Sequence, residues 1–217
     1  YISAGKNKCI AILNLGKIEK GKKNLIVFLH GDGSPNSPRP GIPKKSQIRF
    51  AKELINDDNN IFLFARPGYF IRDRGSSEED RYSSGPRNAI KSTIVNYDWK
   101  NFQILAPALQ NLRKYYKPKK LILIGHSGGA YQGGTIHGKV PGLVDINILI
   151  SCPCDWEIRK KLSNGKKWET KSQLKELKKN SPSFNYKDID LKSLNILIVG
   201  KDDKNTAVLS LIHIYEP

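Results

Sequence analysis

The chain has 217 residues and a net charge of +17, from 37 Lys or Arg against 20 Asp or Glu. Its length suits a single domain with a substantial hydrophobic core, and no apolar run approaches the ~20 residues that a membrane span needs. The excess charge is mostly lysine spread along the chain, and no aromatic-interleaved strand or recognition helix accompanies it, so we expect no nucleic-acid partner.

The first half of the chain predicts three strands and a helix. Residues 9–15 and 24–30 are rich in Ile, Leu and Val, and a Gly-Lys turn separates them, so we expect them to form a strand pair. Residues 48–56 space their apolar side chains three and four apart, which is typical of a helix. Residues 61–69 are the next strand, which a Pro-Gly pair ends.

The second half continues the alternation of helices and strands. Residues 99–116 have a helical period, residues 119–125 follow as a strand, and a helix of small residues begins at Gly128. The last two predicted strands are 144–152 and 194–200. Strands that are apolar on both faces and alternate with helices predict an α/β fold, with a mostly parallel central sheet and helices on both faces.

Two long polar segments, 70–98 and 153–190, follow the carboxyl ends of predicted strands. In open α/β sheets the ligand site lies at that edge. We therefore interpret both segments as loops or small lids over a cleft. The alternative is that they are surface insertions that make no contact with substrate.

The three cysteines do not suggest a disulfide framework or a metal site. Cys152 and Cys154 have one residue between them, not the two of a thioredoxin or zinc half-site, and no histidine pair stands nearby. We expect them and Cys9 to be buried or half-buried thiols. This favours a reducing compartment, so a cytoplasmic location is predicted.

The sequence LILIGHSGGA at 121–130 runs from a strand through Gly-x-Ser-x-Gly into a helix. This is the pattern of a nucleophile elbow, in which a strained turn exposes the serine hydroxyl above the sheet. Side chains at Gly125 and Gly129 would collide with the neighbouring strand and helix. The helix that begins after Ser127 would direct the Gly128 N–H toward a reacting oxygen.

Further motifs follow other strands in the order found in α/β-hydrolases. Over residues 10–207 the chain resembles that superfamily, and within it the bacterial serine hydrolases that combine five short motifs. These are HGD at His30–Asp32, RPGY at Arg66–Tyr69, NY at Asn96–Tyr97, GHSGGA at Gly125–Ala130 and CPCD at Cys152–Asp155.

The resemblance implies roles for residues in two of these motifs and after the last predicted strand. Ser127 would be the nucleophile, and the backbone N–H groups of Gly128 and Asp32 would form the oxyanion hole, with Gly33 as the alternative to Asp32. His30 would serve structure. Asp203 rather than Asp202 would be the acid of a catalytic triad, because family members commonly read Gly-x-x-Asp after the corresponding late strand.

Arg66, Tyr69 and Tyr97 are candidate substrate contacts. Arg66 and Tyr69 close the strand beside the elbow, where strand ends face the site, and an arginine beside two tyrosines could hold an anionic or polar group. The alternative is that Arg66 pairs with an acidic residue in a loop and Tyr69 packs in the core.

The end of the chain has no clear catalytic base. A triad needs a histidine to accept the serine proton, and the only one after Asp203 is His213. Residues 209–217 differ only at Tyr215 from the translation of a common sequencing adapter. We therefore expect a single domain over 1–208, without the final strand and helix of the fold, and a tail that is not native. A genuine tail would make His213 the base candidate.

These expectations combine into a predicted activity. The protein would cleave a small to medium ester or amide through an acyl-enzyme on Ser127, as an esterase more than a peptidase, with neither metal nor cofactor. Its partner would be the small-molecule substrate, and the sequence does not indicate an oligomeric state. The alternatives are an acyltransferase or thioesterase that uses the same site, and a non-catalytic binding protein with this fold.

Overall fold

The computed structural model describes residues 1–5, 8–32, 41–42, 45–67, 69–71, 75–76, 97–156, 171–201 and 203. Most of the predicted loop at 70–98, part of the segment at 153–190 and the whole adapter-like tail lie outside these residues. Gly33, Asp202 and His213 lie outside them too.

The described elements alternate as the sequence predicts. The strands are β1 (Ile2–Ser3), β2 (Cys9–Ile10), β3 (Ile12–Leu15), β4 (Asn24–Leu29), β5 (Gly41–Ile42), β6 (Asn59–Phe64), β7 (Phe70–Ile71), β8 (Gly75–Ser76), β9 (Lys120–His126), β10 (Ile146–Ile150) and β11 (Leu194–Ile198). The helices are α1 (Lys45–Lys52), α2 (Trp99–Phe102), α3 (Leu105–Tyr116), α4 (Gly128–Lys139), α5 (Lys171–Lys179), α6 (Pro182–Asn185) and a 3-10 turn at Tyr186–Asp188.

Six strands form the central sheet in the order β11-β10-β9-β4-β6-β3. Every pairing is parallel except that of β3 with β6, which is antiparallel. The predicted pairing of 9–15 with 24–30 is therefore wrong. β4 is buried on both faces and lies between the parallel strands β6 and β9, so β3 pairs at the edge instead. Shorter pairings join β1 to β2, and β7 to β5 and β8.

Helices cover both faces of this sheet, as the pattern predicts. Leu25, Val27 and Leu29 of β4 belong to a core cluster with residues of α3 and α4. Ile26 and Phe28 belong to a second cluster with α1. Because successive strand side chains point to opposite faces, α3 and α4 lie on one side of the sheet and α1 lies on the other.

The helix predicted over 99–116 is divided into α2 and α3. Pro107 is the third residue of α3. A backbone N–H in the first turn has no partner within the helix, so a proline there costs no hydrogen bond. In one continuous helix from Trp99 the same proline would lie in the interior and would remove a hydrogen bond. The Asp98 side chain caps α2 by accepting from the Lys100 backbone N–H at 3.1 Å.

The edge strand β11 leaves apolar side chains in solvent. Leu194, Ile196 and Ile198 are 52%, 36% and 48% exposed, and the last two lie beside Ile148 and Ile150 of β10. α1 packs over β4 and β6 on this face, so within the described residues the β11 part of the face is open.

Cys152 and Cys154 form a disulfide, so the expectation of thiols at these positions is wrong. Ser151 has a left-handed backbone with φ of 49°, and the turn that follows brings the two Cα atoms within 5.0 Å, a separation at which sulfurs can bond. Cys9 is the free cysteine of the described chain. The pairing removes the reason for expecting a reducing compartment.

The structure also bears on membranes. In the described part of the chain, none of the helices has both the length and the apolarity needed to cross a bilayer.

Candidate active site

Ser127 lies in a tight turn between β9 and α4. Its backbone has φ of 51° and ψ of −118°, a conformation that costs free energy for a residue with a side chain. The Ser127 N–H donates to the Ile150 carbonyl at 2.8 Å, which anchors the turn to the end of β10. The serine is half-buried and lies at the carboxyl edge of the sheet, directly after β9.

Two glycines allow this turn to pack against its neighbours. A Cβ on Gly125 would lie 2.5 Å from the Ala130 Cα, and a Cβ on Gly129 would lie 2.2 Å from the Leu29 carbonyl oxygen. Both contacts involve backbone, which cannot move aside as a flexible side chain can. The collisions expected from the sequence are therefore present, with α4 at Gly125 and with β4 at Gly129.

The loop after β4 packs directly on the turn. A Cβ on Gly31 would lie 3.2 Å from the Ser127 Cβ and 2.7 Å from the His126 Nδ1. A Cβ on Gly128 would lie 2.4 Å from the Asp32 Oδ1. Asp32 and Gly128, the two predicted oxyanion donors, are thus brought together beside Ser127.

The Asp32 carboxylate is surrounded by donors, and we call Asp32, Arg66, Tyr69 and Tyr97 the Asp32 cluster. Arg66 Nη2 forms an ion pair with Oδ1. The Tyr69 hydroxyl donates to Oδ1 at 3.4 Å, and the Tyr97 hydroxyl donates to Oδ2 at 2.7 Å. Arg66, Tyr69 and Tyr97 are 0%, 1% and 1% exposed. The three predicted substrate contacts therefore converge on Asp32, and the acidic partner of Arg66 lies in the loop after β4.

Arg66 is a fully buried cation. Burial lowers its pKa, but the nearby Asp32 carboxylate and the Tyr69 hydroxyl outweigh this and hold the pKa above its ordinary value. Its guanidinium also lies 5.0 Å from the centre of the Tyr69 ring. Within the described residues its Nε and Nη1 have no hydrogen-bond partner, so Asp32 supplies the charge that makes its burial tolerable.

His30 connects the loop to the end of β6. Its Nε2 accepts from the Arg66 backbone N–H at 3.1 Å, so the ring proton is on Nδ1, which lies 2.7 Å from the Gly31 carbonyl oxygen and donates to it. The ring also packs edge-on against Tyr69, with centres 4.5 Å apart. These contacts fit the structural role expected for His30.

Asp203 follows β11 at the same edge of the sheet, and its N–H donates to the Gly200 carbonyl at 3.0 Å. Neighbouring strands lie about 4.8 Å apart, and β10 separates β11 from β9. β11, which Asp203 follows, is thus about two strand spacings, or roughly 10 Å, from β9, which precedes Ser127. A third side chain would have to bridge the two in a triad.

The histidines of the described chain do not supply an evident bridge. His30 is engaged as above, and the His126 ring lies against Gly31. His137 is buried in α4, where its ring nitrogens contact Asn195 Oδ1 at 3.0 Å and Ser193 Oγ at 2.7 Å.

Because of His137, we expect the free energy of unfolding to decrease at acidic pH. Burial lowers its pKa below the ordinary 6.5, although the hydrogen bond that its ring N–H donates to Asn195 Oδ1 and the charges of Asp190 and Asp145 oppose this. The neutral ring is favoured in the folded state, so its contribution is complete above pH 6.5 and is lost as the pH falls below that value.

Urea unfolding between pH 7.5 and 5 measures this effect. We expect His137→Gln to reduce the loss of stability on acidification, which for one histidine is at most about 1.4 kcal/mol per pH unit. Equal pH slopes for the parent and the variant would contradict the prediction.

Comparison with known proteins supports the fold. No family model and no curated protein sequence matches the chain. An uncomplexed acylaminoacyl peptidase from Pyrococcus horikoshii has a TM-score of 0.62 and 15% identity over 97% of this chain and 34% of its own. The dipeptidyl peptidase 4 of Porphyromonas gingivalis has a TM-score of 0.64 and 11% identity over 94% of this chain and 27% of its own.

An esterase is similar over more of its own length. Acetyl xylan esterase 1 from Thermoanaerobacterium sp. JW/SL YS485 has a TM-score of 0.62 and 11% identity over 95% of this chain and 68% of its own. By contrast, the chain spans only about a third or less of the length of the two peptidases. With its mostly parallel sheet and these neighbours, the chain has the α/β-hydrolase fold.

Proposed function

We propose that the protein is a serine hydrolase that forms an acyl-enzyme on Ser127. The observation that carries this proposal is the left-handed backbone of Ser127 at the turn between β9 and α4. This backbone, set directly before a helix and between Gly125 and Gly129 that pack against neighbouring backbone, is the conformation in which a nucleophile elbow exposes its hydroxyl to a ligand.

The proposed reaction has two steps. Ser127 Oγ attacks the carbonyl carbon of an ester or amide and loses its proton to a base, and the leaving group departs as an alcohol or amine. The backbone N–H groups of Gly128 and Asp32 stabilise the negative oxygen of each tetrahedral intermediate. Water then attacks the acyl-enzyme, releases the acid and restores the serine.

Asp203 is proposed to orient the base. It follows β11, which lies two strands from β9 in the sheet, and a triad places an imidazole between the acid and the serine. His30 and His137 are hydrogen-bonded to other groups, and the base is unassigned. His213 is the candidate within the sequence and lies outside the described residues.

The substrate class is proposed to be a small to medium ester or amide. Both esterases and peptidases share the fold, and the choice of esterase follows from the polar segment 70–98, which we expect to narrow the cleft. Direct contact of Arg66, Tyr69 and Tyr97 with substrate is the alternative to the positioning role argued below. Acyl transfer would use the same residues with an alcohol or thiol as acceptor in place of water.

Covalent labelling tests the proposal. The protein is incubated with a fluorophosphonate, and its intact mass and peptide map are measured. We expect a single adduct on the peptide that contains Ser127, together with turnover of p-nitrophenyl butyrate. Adding methanol distinguishes hydrolysis from transfer by the product ratio, since a transferase would convert most of the acyl-enzyme to the methyl ester at low methanol concentration, whereas a hydrolase would release mainly butyrate. Absence of both adduct and turnover would refute the hydrolase.

A further inference from the structure

We propose that Arg66, Tyr69 and Tyr97 are positioning residues, which act through the Asp32 carboxylate to hold the loop after β4 against the Ser127 turn. The proposal rests on the proposed function, because its purpose is to place the Asp32 N–H and to balance charge at the oxyanion hole. It assigns to the Asp32 side chain a role separate from that of its backbone.

The contacts of the Asp32 cluster come from two different parts of the chain. Arg66 and Tyr69 follow β6, whereas Tyr97 lies just before α2. Arg66 and Tyr69 hold Oδ1, and Tyr97 holds Oδ2. Both carboxylate oxygens are therefore fixed from separate directions, which limits rotation of the side chain and movement of the loop that carries it.

The donors are themselves rigid. Tyr97 packs edge-on against Tyr131 of α4 and Trp156, with ring centres 4.6 and 5.0 Å away. Arg66 is fixed by its backbone bond to His30. Because all three donor residues are at most 1% exposed, they present almost no surface that a substrate could touch, and their polar atoms are directed at Asp32.

Gly128 completes this arrangement. A Cβ at this position would lie 2.4 Å from Asp32 Oδ1 and 2.7 Å from Arg66 Nη1. The ion pair therefore occupies the space that a side chain would fill, directly beside the proposed oxyanion donor. The glycine after the nucleophile thus admits the Asp32 carboxylate as well as allowing the turn.

Charge gives the ion pair a second effect. A bare carboxylate beside Gly128 would oppose the negative charge that develops on the substrate oxygen, and this repulsion is strong where water is excluded. Arg66 offsets it. Loss of Arg66 alone should therefore harm the reaction more than loss of both charges, and Asp32→Asn should partly rescue Arg66→Gln.

Steady-state kinetics tests the proposal on p-nitrophenyl butyrate, which is neutral, and mono-p-nitrophenyl succinate, which is an anion of the same acyl length. We expect Arg66→Gln to lower kcat about 10- to 100-fold on both esters with little change in KM, by partial loss of an oxyanion interaction. Tyr97→Phe, which removes one hydroxyl, should lower kcat several-fold in the same way. Arg66→Gln/Asp32→Asn should exceed Arg66→Gln in kcat.

Arg113→Gln is the matched control. Arg113 also pairs with an aspartate, Asp145, at 3.1 Å. Asp145 accepts from the Leu121 N–H, at the opposite end of β9 from Ser127, so we expect unchanged kcat. If Arg66→Gln and Tyr97→Phe match this control, the proposal is wrong. A rise in KM for the anionic ester alone would also overturn it, in favour of direct substrate contact.

Urea unfolding supplies a measurement that needs no activity. We expect Arg66→Gln to lower the midpoint by about 1 M or more, and Arg66→Gln/Asp32→Asn to lower it no further. The changes in midpoint caused by Asp32→Asn and by Arg113→Gln should add in the double variant.

The same measurement separates the two proposals. If the parent hydrolyses neither ester but the effects of Arg66→Gln and Asp32→Asn on the midpoint are coupled, the positioning contact stands and the hydrolase proposal fails. If their effects add, the positioning proposal fails whatever the activity.

Discussion

Replacing Ser127 by alanine is expected to abolish fluorophosphonate labelling and to reduce ester hydrolysis by a factor on the order of 10⁴ or more. The substitution removes the only atom that forms the acyl bond in the proposed reaction, and it leaves the backbone of the turn in place. The residual rate should reflect binding and the oxyanion donors alone. Intact-mass analysis and p-nitrophenyl butyrate turnover measure the two effects.

Ser151→Ala is a closely matched control for this variant. Ser151 follows β10 as Ser127 follows β9, has φ of 49°, and donates its N–H to the Ile198 carbonyl at 2.8 Å. Loss of a hydroxyl from a left-handed residue at a neighbouring strand end should leave labelling and turnover unchanged. Labelling that survived in Ser127→Ala, or that was lost in Ser151→Ala, would assign the nucleophile elsewhere.

The architecture could be predicted because local patterns and long-range packing agree. The alternation of apolar strands with helices gave the mostly parallel sheet, and the glycines around Ser127 gave the turn. Gly125 and Gly129 are informative because backbone occupies the space beside each, and a sequence signals such close approaches directly by omitting the side chain.

Pairings between distant residues were harder to predict. The edge position of β3 depends on which strands pair with the two edges of β4, a property of the whole sheet. Formation of the Cys152–Cys154 bond depends on a backbone turn at Ser151, where a non-glycine residue gives no sign of positive φ. Both are set by tertiary structure, which residue spacing alone does not determine.

The role of the Asp32 side chain was missed for a related reason. The motif around His30 directed attention to backbone N–H groups, while Arg66 and the two tyrosines were interpreted separately as substrate contacts. One signal was available in the sequence: an arginine and a tyrosine at the end of β6, the strand beside β4, close to an aspartate at the end of β4. Buried arginines require an acidic partner, and Asp32 was the nearest candidate.

Gly129→Ala is expected to destabilise the fold by about 3 kcal/mol or more, at the upper end of the range for overpacking. The new Cβ would lie 2.2 Å from the Leu29 carbonyl oxygen and 2.5 Å from that of His30. Neither oxygen can rotate away, so α4 must move from β4, and this would disturb both the turn at Ser127 and the loop that carries Asp32. The midpoint of urea unfolding measures the loss, and kcat should fall with it.

Gly133→Ala, four residues later in the same helix, separates this collision from a general effect of alanine in α4. Its Cβ would meet Asn147 Oδ1 and Leu123 Cδ2 at 3.4 Å, which is ordinary contact, and alanine favours a helix over glycine by about 1 kcal/mol. We expect this control to be neutral or stabilised by up to about that amount. Of the two glycines, only Gly129 lies against the β4 backbone. An equal loss of stability in both variants would therefore assign the effect to the packing of α4 in general.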